Sequence, residues 1–383
     1  MQFSFTEQQT DFRDAVRQML GRECTPADLR AVFDAAAFDA AEKAGGDAGT
    51  GSGARPSLVH TPRWKALADM GVVGLTIPEL HGGLGLSEVD LVLLLEEAGR
   101  AALPEPLLET TALAAPLLAR TGFGPELRTQ VGALSNYWLP RIAAGDAVAA
   151  IGLSGMLAVP GAVGADLYIL EHAVADGGSE LHAVPADEVE VTPIESLDHT
   201  RRLGTVEWTP SEMTLVAAGP DAELTRAVLA DRAALGTAAE LVGLADRMIT
   251  IAADYAKERK QFGRVIGSFQ AVKHLLAGAQ VKLEFARPVT YAAAWSLAHR
   301  APDASRRASM AKAYAADAAT EAARVSLQVH GAIGYTWECD LHLFLKRAWA
   351  LAPAWGDAAE HRSRVLASVV AERAERAERA ERA

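Results

Sequence analysis

The sequence predicts a mainly α-helical protein with a small β domain in its middle, and three observations lead to this prediction. Long stretches with apolar residues at helical spacing fill residues 1–145 and again residues 217–370. Between them, residues 146–216 consist of short segments rich in branched and aromatic residues, separated by Gly, Pro and Asp. At 383 residues, 50% of them hydrophobic, the chain can bury a large core in two or three domains.

The first region, residues 1–145, opens with a predicted helix. Thr6 is a suitable N-cap, because Gln9 follows three residues later and apolar residues then recur every four positions. Residues 37–57 are small and Gly-rich, which predicts a mobile surface loop. A Gly/Pro-rich connection around residues 78–85 then separates two further predicted helices.

The two later regions have different residue patterns, which predict strands in one and helices in the other. The short segments of residues 146–216 predict a small antiparallel sheet. Residues 217–370 form long Ala/Leu-rich helical patterns with few internal breakers and short links, which predicts an antiparallel bundle. The tail, residues 371–383, repeats Ala-Glu-Arg every three residues and has no apolar face, so we expect a solvated, fraying helix.

Composition excludes several classes of function. A formal net charge of −12 disfavours nucleic acid as the main partner, because phosphate binding needs clusters of basic residues. No run of about twenty uncharged apolar residues occurs, and the polar, acidic start does not resemble a signal peptide, so we expect a cytoplasmic protein. Cys24 and Cys339 lie far apart and fit no metal-ligand spacing, which predicts two reduced thiols and no metal site.

Residues 258–274 are the first candidate for binding chemistry. Arg259 is predicted at a helix end, followed by Phe262 and a glycine, with Gln270 opening the next helix. An arginine fork matches a pyrophosphate with two hydrogen bonds, and Phe262 could pack against a flat ring. The alternative is a solvated charge cluster, which is common at helix ends.

Residues 328–340 are the second candidate. Gly331 and Gly334 interrupt a long helical pattern and would let another backbone or a ligand come close. A helix C-cap explains these glycines nearly as well, and His330 is expected to be a structural histidine. The chain contains no complete G-x-G-x-x-G, G-x-S-x-G or His-Glu-x-x-His motif, so NAD-type dinucleotide binding, serine hydrolysis and metalloprotease chemistry are not predicted.

Asp231, beside Arg232, is a third residue of interest. An acidic residue in an otherwise apolar helix is costly to bury unless it is paired or functional. From spacing alone, an ion pair between these adjacent residues at a helix end is the favoured interpretation.

Taken together, these segments resemble the acyl-CoA dehydrogenase family over nearly the whole chain. The resemblance is carried by YAKERKQFGRVIGSFQAVKHLLA, by QVHGAIGYTWE followed by LHLFLKRA, and by the N-terminal stretch WKALADMGVVGLTIPELHGGLGL. It implies a helical N-terminal domain, a middle domain that is a small β-barrel or sheet, and a C-terminal four-helix bundle. It also implies subunits that pair into dimers and tetramers.

The same resemblance implies FAD as the cofactor. Arg259 matches the arginine that grips the FAD pyrophosphate, with Phe262 and Gln270 nearby. The residues implied along the adenosine half of FAD are Gln328, Gly331 and Ala332. Such contacts usually reach the FAD of a neighbouring subunit, so the implied flavin site is an interface. The implied partners are an acyl-CoA substrate and an electron-transfer flavoprotein or a similar acceptor.

The family reaction needs a carboxylate that takes the α-proton of the thioester while the β-hydrogen leaves as a hydride. In most members this base is a glutamate shortly after the second motif; the matching position here is Gly356, followed by Asp357. A minority, including isovaleryl-CoA dehydrogenase, place the carboxylate on an earlier helix just before an arginine, as in Asp231 and Arg232. Asp231 is therefore the candidate base, Asp357 its alternative, and Arg232 is expected to position CoA or the base.

The middle domain departs from the family pattern. From Ile151 the chain runs directly into residues 161–166, without the segments that cover the flavin ring. This resembles the trimmed subunit of actinobacterial heteromeric acyl-CoA dehydrogenases, which act on CoA esters of steroid side chains or rings. We expect a dehydrogenase subunit of fatty acid or steroid catabolism in a homo- or hetero-oligomer, such as a dimer of dimers. The alternatives are a catalytically silent partner that completes the FAD site of a paralogue, and an acyl-CoA oxidase.

Overall fold

The computed structural model describes residues 4–45, 61–120, 128–174 and 177–381. Helices make up 66% of the structure and a small sheet lies in the middle of the chain, so the predicted fold class is confirmed. The residues group into two compact units, Met1–Ala233 and Ala234–Ala383.

The first unit begins with helices and continues with strands. Its helices are α1 (Glu7–Glu23), α2 (Pro26–Gly45), α3 (Pro62–Asp69), α4 (Glu88–Ala101), α5 (Ala115–Leu118), which a π-helix at Leu108–Ala114 precedes, and α6 (Arg128–Ala143). Its strands are β1 (Ala149–Gly152), β2 (Leu167–Ala173), β3 (Ser179–Pro185), β4 (Val189–Pro193), β5 (Gly204–Trp208) and β6 (Leu215–Ala218). The long helix α7 (Gly219–Glu258) starts in this unit and ends in the second.

The first helix begins where the sequence predicts. The Thr6 hydroxyl accepts a 3.2 Å bond from the Gln9 N–H, and the Gln9 side chain accepts a 3.0 Å bond from the Thr6 N–H. The predicted N-cap is therefore confirmed as a reciprocal capping box. Between α1 and α4, Arg17 donates to the two carboxylate oxygens of Glu97 at 2.8 and 2.5 Å, which compensates the burial of that charge.

The predicted loop at residues 37–57 is wrong in its first part. Residues 37–45 continue α2, which ends at Gly45. This stretch is rich in alanine, the residue with the highest helix propensity, so the small side chains extend the helix rather than break it. The remainder of the predicted loop, residues 46–57, lies outside the described residues.

The middle sheet has the strand order β1-β2-β3-β6, and β4 pairs with β5 in a separate hairpin. Strand β3 is antiparallel to both of its neighbours, β2 and β6, whereas β1 runs parallel to β2, with Ala149 opposite Leu167. The prediction of a wholly antiparallel sheet is therefore wrong for the first pair. Residues 153–166 form a crossover long enough to return the chain in the same direction, which a tight hairpin turn cannot do.

The second unit is the helical bundle that the sequence predicts. After α7 it contains β7 (Lys260–Gln261), β8 (Arg264–Val265), α8 (Gln270–Ala298), α9 (Ala304–His330), α10 (Leu341–Leu351) and α11 (Ala358–Glu381). Helix α11 includes most of the Ala-Glu-Arg repeat, and Arg306 on α9 donates to Glu372 at 2.6 Å. Among the described residues, no helix combines the length and the apolar character needed to cross a membrane.

Candidate active site

The chain reverses direction directly after α7. Strands β7 and β8 form a short hairpin whose turn residues, Phe262 and Gly263, have φ angles of +54° and +78°. Glycine adopts this left-handed conformation freely, whereas a side chain there costs about 1–2 kcal/mol. The side chain of Phe262 gains little from packing: it is 91% exposed, and its ring meets Phe269 only edge-on, with centroids 6.1 Å apart. A strained and exposed aromatic residue favours a role in binding.

Arg259 links the end of α7 to this hairpin. Its backbone N–H donates to the Tyr255 carbonyl at 2.9 Å, and its carbonyl accepts a 2.8 Å bond from the Ile266 N–H, so its backbone is fixed. Its side chain is exposed and makes no hydrogen bond or ion pair with any residue that the structure describes. The five N–H donors of the guanidinium are therefore available to an anion.

The second motif closes helix α9. Gly331 is its C-cap, with φ +65°, and donates its N–H to the carbonyl of the residue four positions earlier, so the C-cap interpretation is confirmed. A Cβ placed on Gly331 would meet no heavy atom within 4 Å. Gln328 and Ala332 on either side are exposed. The motif therefore presents open backbone and one amide side chain.

A stacked ring pair brings the two motifs together. The rings of Tyr255 on α7 and His330 on α9 have centroids 4.3 Å apart and planes 16° apart. His330 is 7% exposed and its Nδ1 donates to the Ser326 carbonyl at 2.8 Å, as expected of a structural histidine. Burial lowers the pKa of His330, so the neutral ring is favoured. Ser326 in turn donates to the Met248 carbonyl at 2.9 Å, which ties α9 to α7 a second time.

Gln270 completes the set of predicted cofactor residues. It is the exposed first residue of α8, where unpaired backbone N–H groups favour negative charge. The second unit therefore offers a free guanidinium, an exposed aromatic ring, two amide side chains and an open glycine backbone. These are the donors and surfaces that a dinucleotide with two phosphates and flat rings requires, so the residues present fit FAD.

Asp231 lies inside α7 and not at a helix end, so that part of the sequence prediction is wrong. The residue is 9% exposed. Both Nε and Nη2 of the neighbouring Arg232 donate to one oxygen of Glu88 on α4, at 2.9 and 2.5 Å. Adjacent residues on a helix do not face each other, which explains why Arg232 bonds to another helix. The bonds to Glu88 use two of the five N–H donors of the Arg232 guanidinium.

Asp357 is engaged as the N-cap of α11. One of its oxygens accepts 2.8 Å bonds from the N–H groups of Ala359 and Glu360, and its own N–H donates to the Glu360 carboxylate at 2.7 Å. The bond from the Glu360 N–H is the largest cause that lowers the pKa of Asp357. Since a carboxylate stabilised as an anion is a poor proton acceptor, this geometry disfavours Asp357 as a base.

The turn before Asp357 is held by a buried lysine. Gly356 has φ +97°, and a Cβ there would come within 3.0 Å of the His361 ring. Lys312 on α9 is 0% exposed and donates to the carbonyl oxygens of Ala352 and Gly356 at 2.7 and 2.9 Å. Burial lowers the pKa of the Lys312 ammonium to about 8. Sequence reasoning missed Lys312, because a lysine in an Ala-rich helix usually lies at the surface.

The first unit also contains a groove of about 880 Å³ between α6 and the β3–β4 connection. Its apolar lining includes Tyr137 and Met213, and its carboxylates are Asp146, Asp166, Asp187 and Glu188. The one arginine of the lining, Arg141, stacks on the Tyr137 ring at 3.8 Å. An excess of carboxylates repels the phosphates of CoA and FAD, so this groove does not fit either molecule.

The predicted site residues fall into two groups. Asp231 and Arg232 belong to the first compact unit, and the predicted cofactor residues all belong to the second. Sequence reasoning found the ends of the two motifs but missed Tyr255 and Ser326, which hold them together. The available signal was spacing, because Tyr255 precedes Arg259 by four residues and Ser326 precedes His330 by four, which places each pair on one helix face.

Comparison with known proteins identifies the family. Residues 6–146 match the model of the acyl-CoA dehydrogenase N-terminal domain, and residues 227–370 match that of the acyl-CoA dehydrogenase C-terminal domain. The acyl-CoA dehydrogenase IpdE2 of Mycolicibacterium smegmatis is 34% identical over 307 residues, which are 80% of this chain and 87% of the relative. The chain therefore belongs to the acyl-CoA dehydrogenase family of oxidoreductases, which act on the CH–CH group of an acyl-CoA.

Two solved structures illustrate the similarity in fold. A variant of the Tcur3481-Tcur3483 steroid ACAD has a TM-score of 0.78 at 25% identity, covering 96% of this chain and 99% of that chain. The ChsE4-ChsE5 complex from Mycobacterium tuberculosis has a TM-score of 0.78 at 24% identity. The match covers 97% of this chain and 99% of that chain. IpdE2 of the same organism is 34% identical over 286 residues, 74% of this chain and 79% of that protein.

Proposed function

We propose that this chain is a subunit of an FAD-dependent acyl-CoA dehydrogenase that forms a double bond between the α and β carbons of a steroid-derived acyl-CoA. The observation that carries this proposal is the stack of Tyr255 on His330, which joins the helix that leads to Arg259 to the helix that ends before Gly331. Family membership supports the reaction class. The steroid ACAD among the similar structures supports the substrate class.

In this proposal the second unit holds FAD. Arg259 binds the pyrophosphate through its guanidinium fork, Phe262 packs against a flat part of the cofactor, and Gln270 donates from the start of α8. The residues proposed along the adenosine half are Gln328, Gly331 and Ala332. When bound, FAD supplies the acceptor for the hydride that leaves the β carbon.

Asp231 is the proposed base. Its carboxylate takes the α-proton, while the electron pair of the breaking β C–H bond leaves with the hydrogen as hydride. At 9% exposure, the carboxylate has little contact with water that would compete for the proton. Asp357 is the alternative base, and its oxygen already accepts two backbone hydrogen bonds. Arg232 is proposed to position CoA or the base.

We further propose that the chain works in a hetero-oligomer, as a dimer of dimers. The proposed cofactor residues are exposed in the single protomer, which suits a site completed by another subunit. Residues 153–166 connect β1 directly to β2 and leave flavin-ring coverage to a longer paralogue. Electrons then pass to an electron-transfer flavoprotein or a similar acceptor.

Expression of the chain alone and together with a longer acyl-CoA dehydrogenase paralogue tests the proposal. We expect the co-purified complex to be yellow and to reduce a dye when given a steroid-derived acyl-CoA. Arg259→Ala should remove the flavin absorbance, whereas Arg307→Ala, at the other end of α9 from His330, should not. A complex that is colourless with wild-type chain, or that keeps its flavin with Arg259→Ala, would contradict the proposal.

A further inference from the structure

We propose that Tyr255 and His330 form a positioning pair that sets Arg259 and the residues after α9 at the spacing needed to bind one dinucleotide. This inference rests on the proposed function and adds two residues to it. Neither ring needs to touch FAD. Each ring acts through the backbone that follows it. Tyr255 positions Arg259, and His330 positions Gly331.

The geometry of the pair supports this role. Tyr255 lies four residues before Arg259, one helical turn along α7, and Gly331 directly follows His330. The rings stack with centroids 4.3 Å apart and planes 16° apart, so the ends of the two helices cannot slide past each other without breaking the stack. The Arg259 N–H bond to the Tyr255 carbonyl transmits the position of the tyrosine to the hairpin.

His330 is oriented by its own hydrogen bond. Its Nδ1–H donates to the Ser326 carbonyl at 2.8 Å, which fixes the tautomer and the plane of the ring. Ser326 is 0% exposed and donates to the Met248 carbonyl, so the histidine is connected to α7 through a buried bond as well as through the stack.

The chain offers a matched control. Trp295 and His299 near the end of α8 also stack, with centroids 4.3 Å apart and planes 19° apart. This pair lies near the C-terminal end of α8, whereas Gln270 is at its start. Loss of this second stack should lower stability without altering the proposed dinucleotide site.

The test measures the dissociation constant of FAD by fluorescence titration of the co-purified complex after the flavin has been removed. Tyr255→Leu, which loses the stack, should raise the dissociation constant about three- to tenfold. Tyr255→Phe keeps the ring and should bind FAD as the wild type does, as should Trp295→Leu. Thermal unfolding of each variant is recorded in parallel, so that loss of stability is separated from loss of affinity.

Two results would overturn the inference. Equal FAD affinity of a folded Tyr255→Leu complex and the wild type would remove the pair from the site while leaving the proposed function intact. A wild-type complex that binds no FAD would overturn the proposed function and this inference with it. Should Tyr255→Leu not fold, His330→Asn, which keeps a donor for the Ser326 carbonyl but has no ring, is measured instead with the same expected loss.

Discussion

The ammonium of Lys312 donates a 2.9 Å hydrogen bond to the carbonyl oxygen of Gly356. The family resemblance predicts that Gly356 corresponds to the catalytic glutamate of most members. The bond ties α9 to the turn before α11, and the second bond of Lys312, to Ala352, ties it to the end of α10. This turn is therefore used for packing, and the proposed proton abstraction falls to Asp231.

Lys312→Met should destabilise the protein strongly. The substitution keeps most of the buried volume but leaves the carbonyl oxygens of Ala352 and Gly356 without these donors, at about 1–3 kcal/mol for each unpaired group. Chemical denaturation of wild type and variant measures the loss. Lys65→Met removes an exposed lysine whose side chain is 69% accessible and serves as the control, with a change near zero. A loss no larger than that of the control would contradict the assigned role.

The same variant should reveal a pH dependence. Burial lowers the pKa of folded Lys312 to about 8, below its ordinary value of 10.5. Between these values the unfolded chain binds more protons than the folded one, so this residue makes unfolding less favourable as pH rises. The difference in unfolding free energy between wild type and Lys312→Met should therefore grow from pH 8 to pH 10. A constant difference would show that folding does not shift the pKa of Lys312, and a shrinking one would show that folding raises it; either result would contradict the prediction.

Asp231→Asn should abolish dehydrogenation and leave FAD binding unchanged. Loss of a general base lowers turnover by about 10²–10⁴-fold, and the amide is close in size to the carboxylate. Asp357→Asn is the matched variant, since asparagine is as good an N-cap as aspartate and should preserve both α11 and turnover. Dye-linked turnover and bound flavin are measured for both. Should only Asp357→Asn be inactive, the base is the aspartate after Gly356.

Phe262→Asn should separate stability from binding. Asparagine tolerates the left-handed conformation at φ +54°, so we expect a gain of up to about 1 kcal/mol in unfolding free energy. FAD affinity should fall at the same time, because the exposed ring is lost. Thermal unfolding and FAD titration of the same complex check both halves. A stabilised variant with unchanged FAD affinity would remove Phe262 from the cofactor site.

Arg232 and Glu88 should differ in their effects on catalysis. Arg232→Met removes the group proposed to position CoA or the base, and we expect KM for the acyl-CoA to rise about tenfold. Glu88→Gln weakens the ion pair but keeps the guanidinium, so its main effect should be a loss of stability of about 1–3 kcal/mol. Steady-state kinetics and denaturation of both variants measure the effects on KM and on stability. If both substitutions changed KM by the same small amount, the role of Arg232 would be structural only.

Local patterns predicted the helical part of the fold well. The capping box of Thr6 and Gln9 involves neighbours in sequence, so it could be read directly. The helix at residues 37–45 was missed because small residues suit both a flexible loop and a helix, and alanine decided the outcome. The parallel pairing of β1 with β2 depends on the path of a crossover, and short strand patterns alone carry no direction.

In the candidate site too, the sequence predicted individual residues but not the contacts between residues far apart in the chain. Arg259 and Gly331 stand out in the sequence because of their residue types and their motifs. Their connection through the Tyr255 and His330 rings joins residues far apart in the chain, and only the packing of α7 on α9 reveals it. The pairing of Arg232 with Glu88 was missed for the same reason, because spacing suggests only nearby partners.

The left-handed backbone at Gly356 also restricts how this chain could evolve. A glutamate at this position would place a side chain in a left-handed backbone conformation, with its Cβ 3.0 Å from the His361 ring. Its accommodation would shift the His361 ring and the turn that Lys312 holds, so a gain of a carboxylate here is coupled to the packing of α9 against this turn.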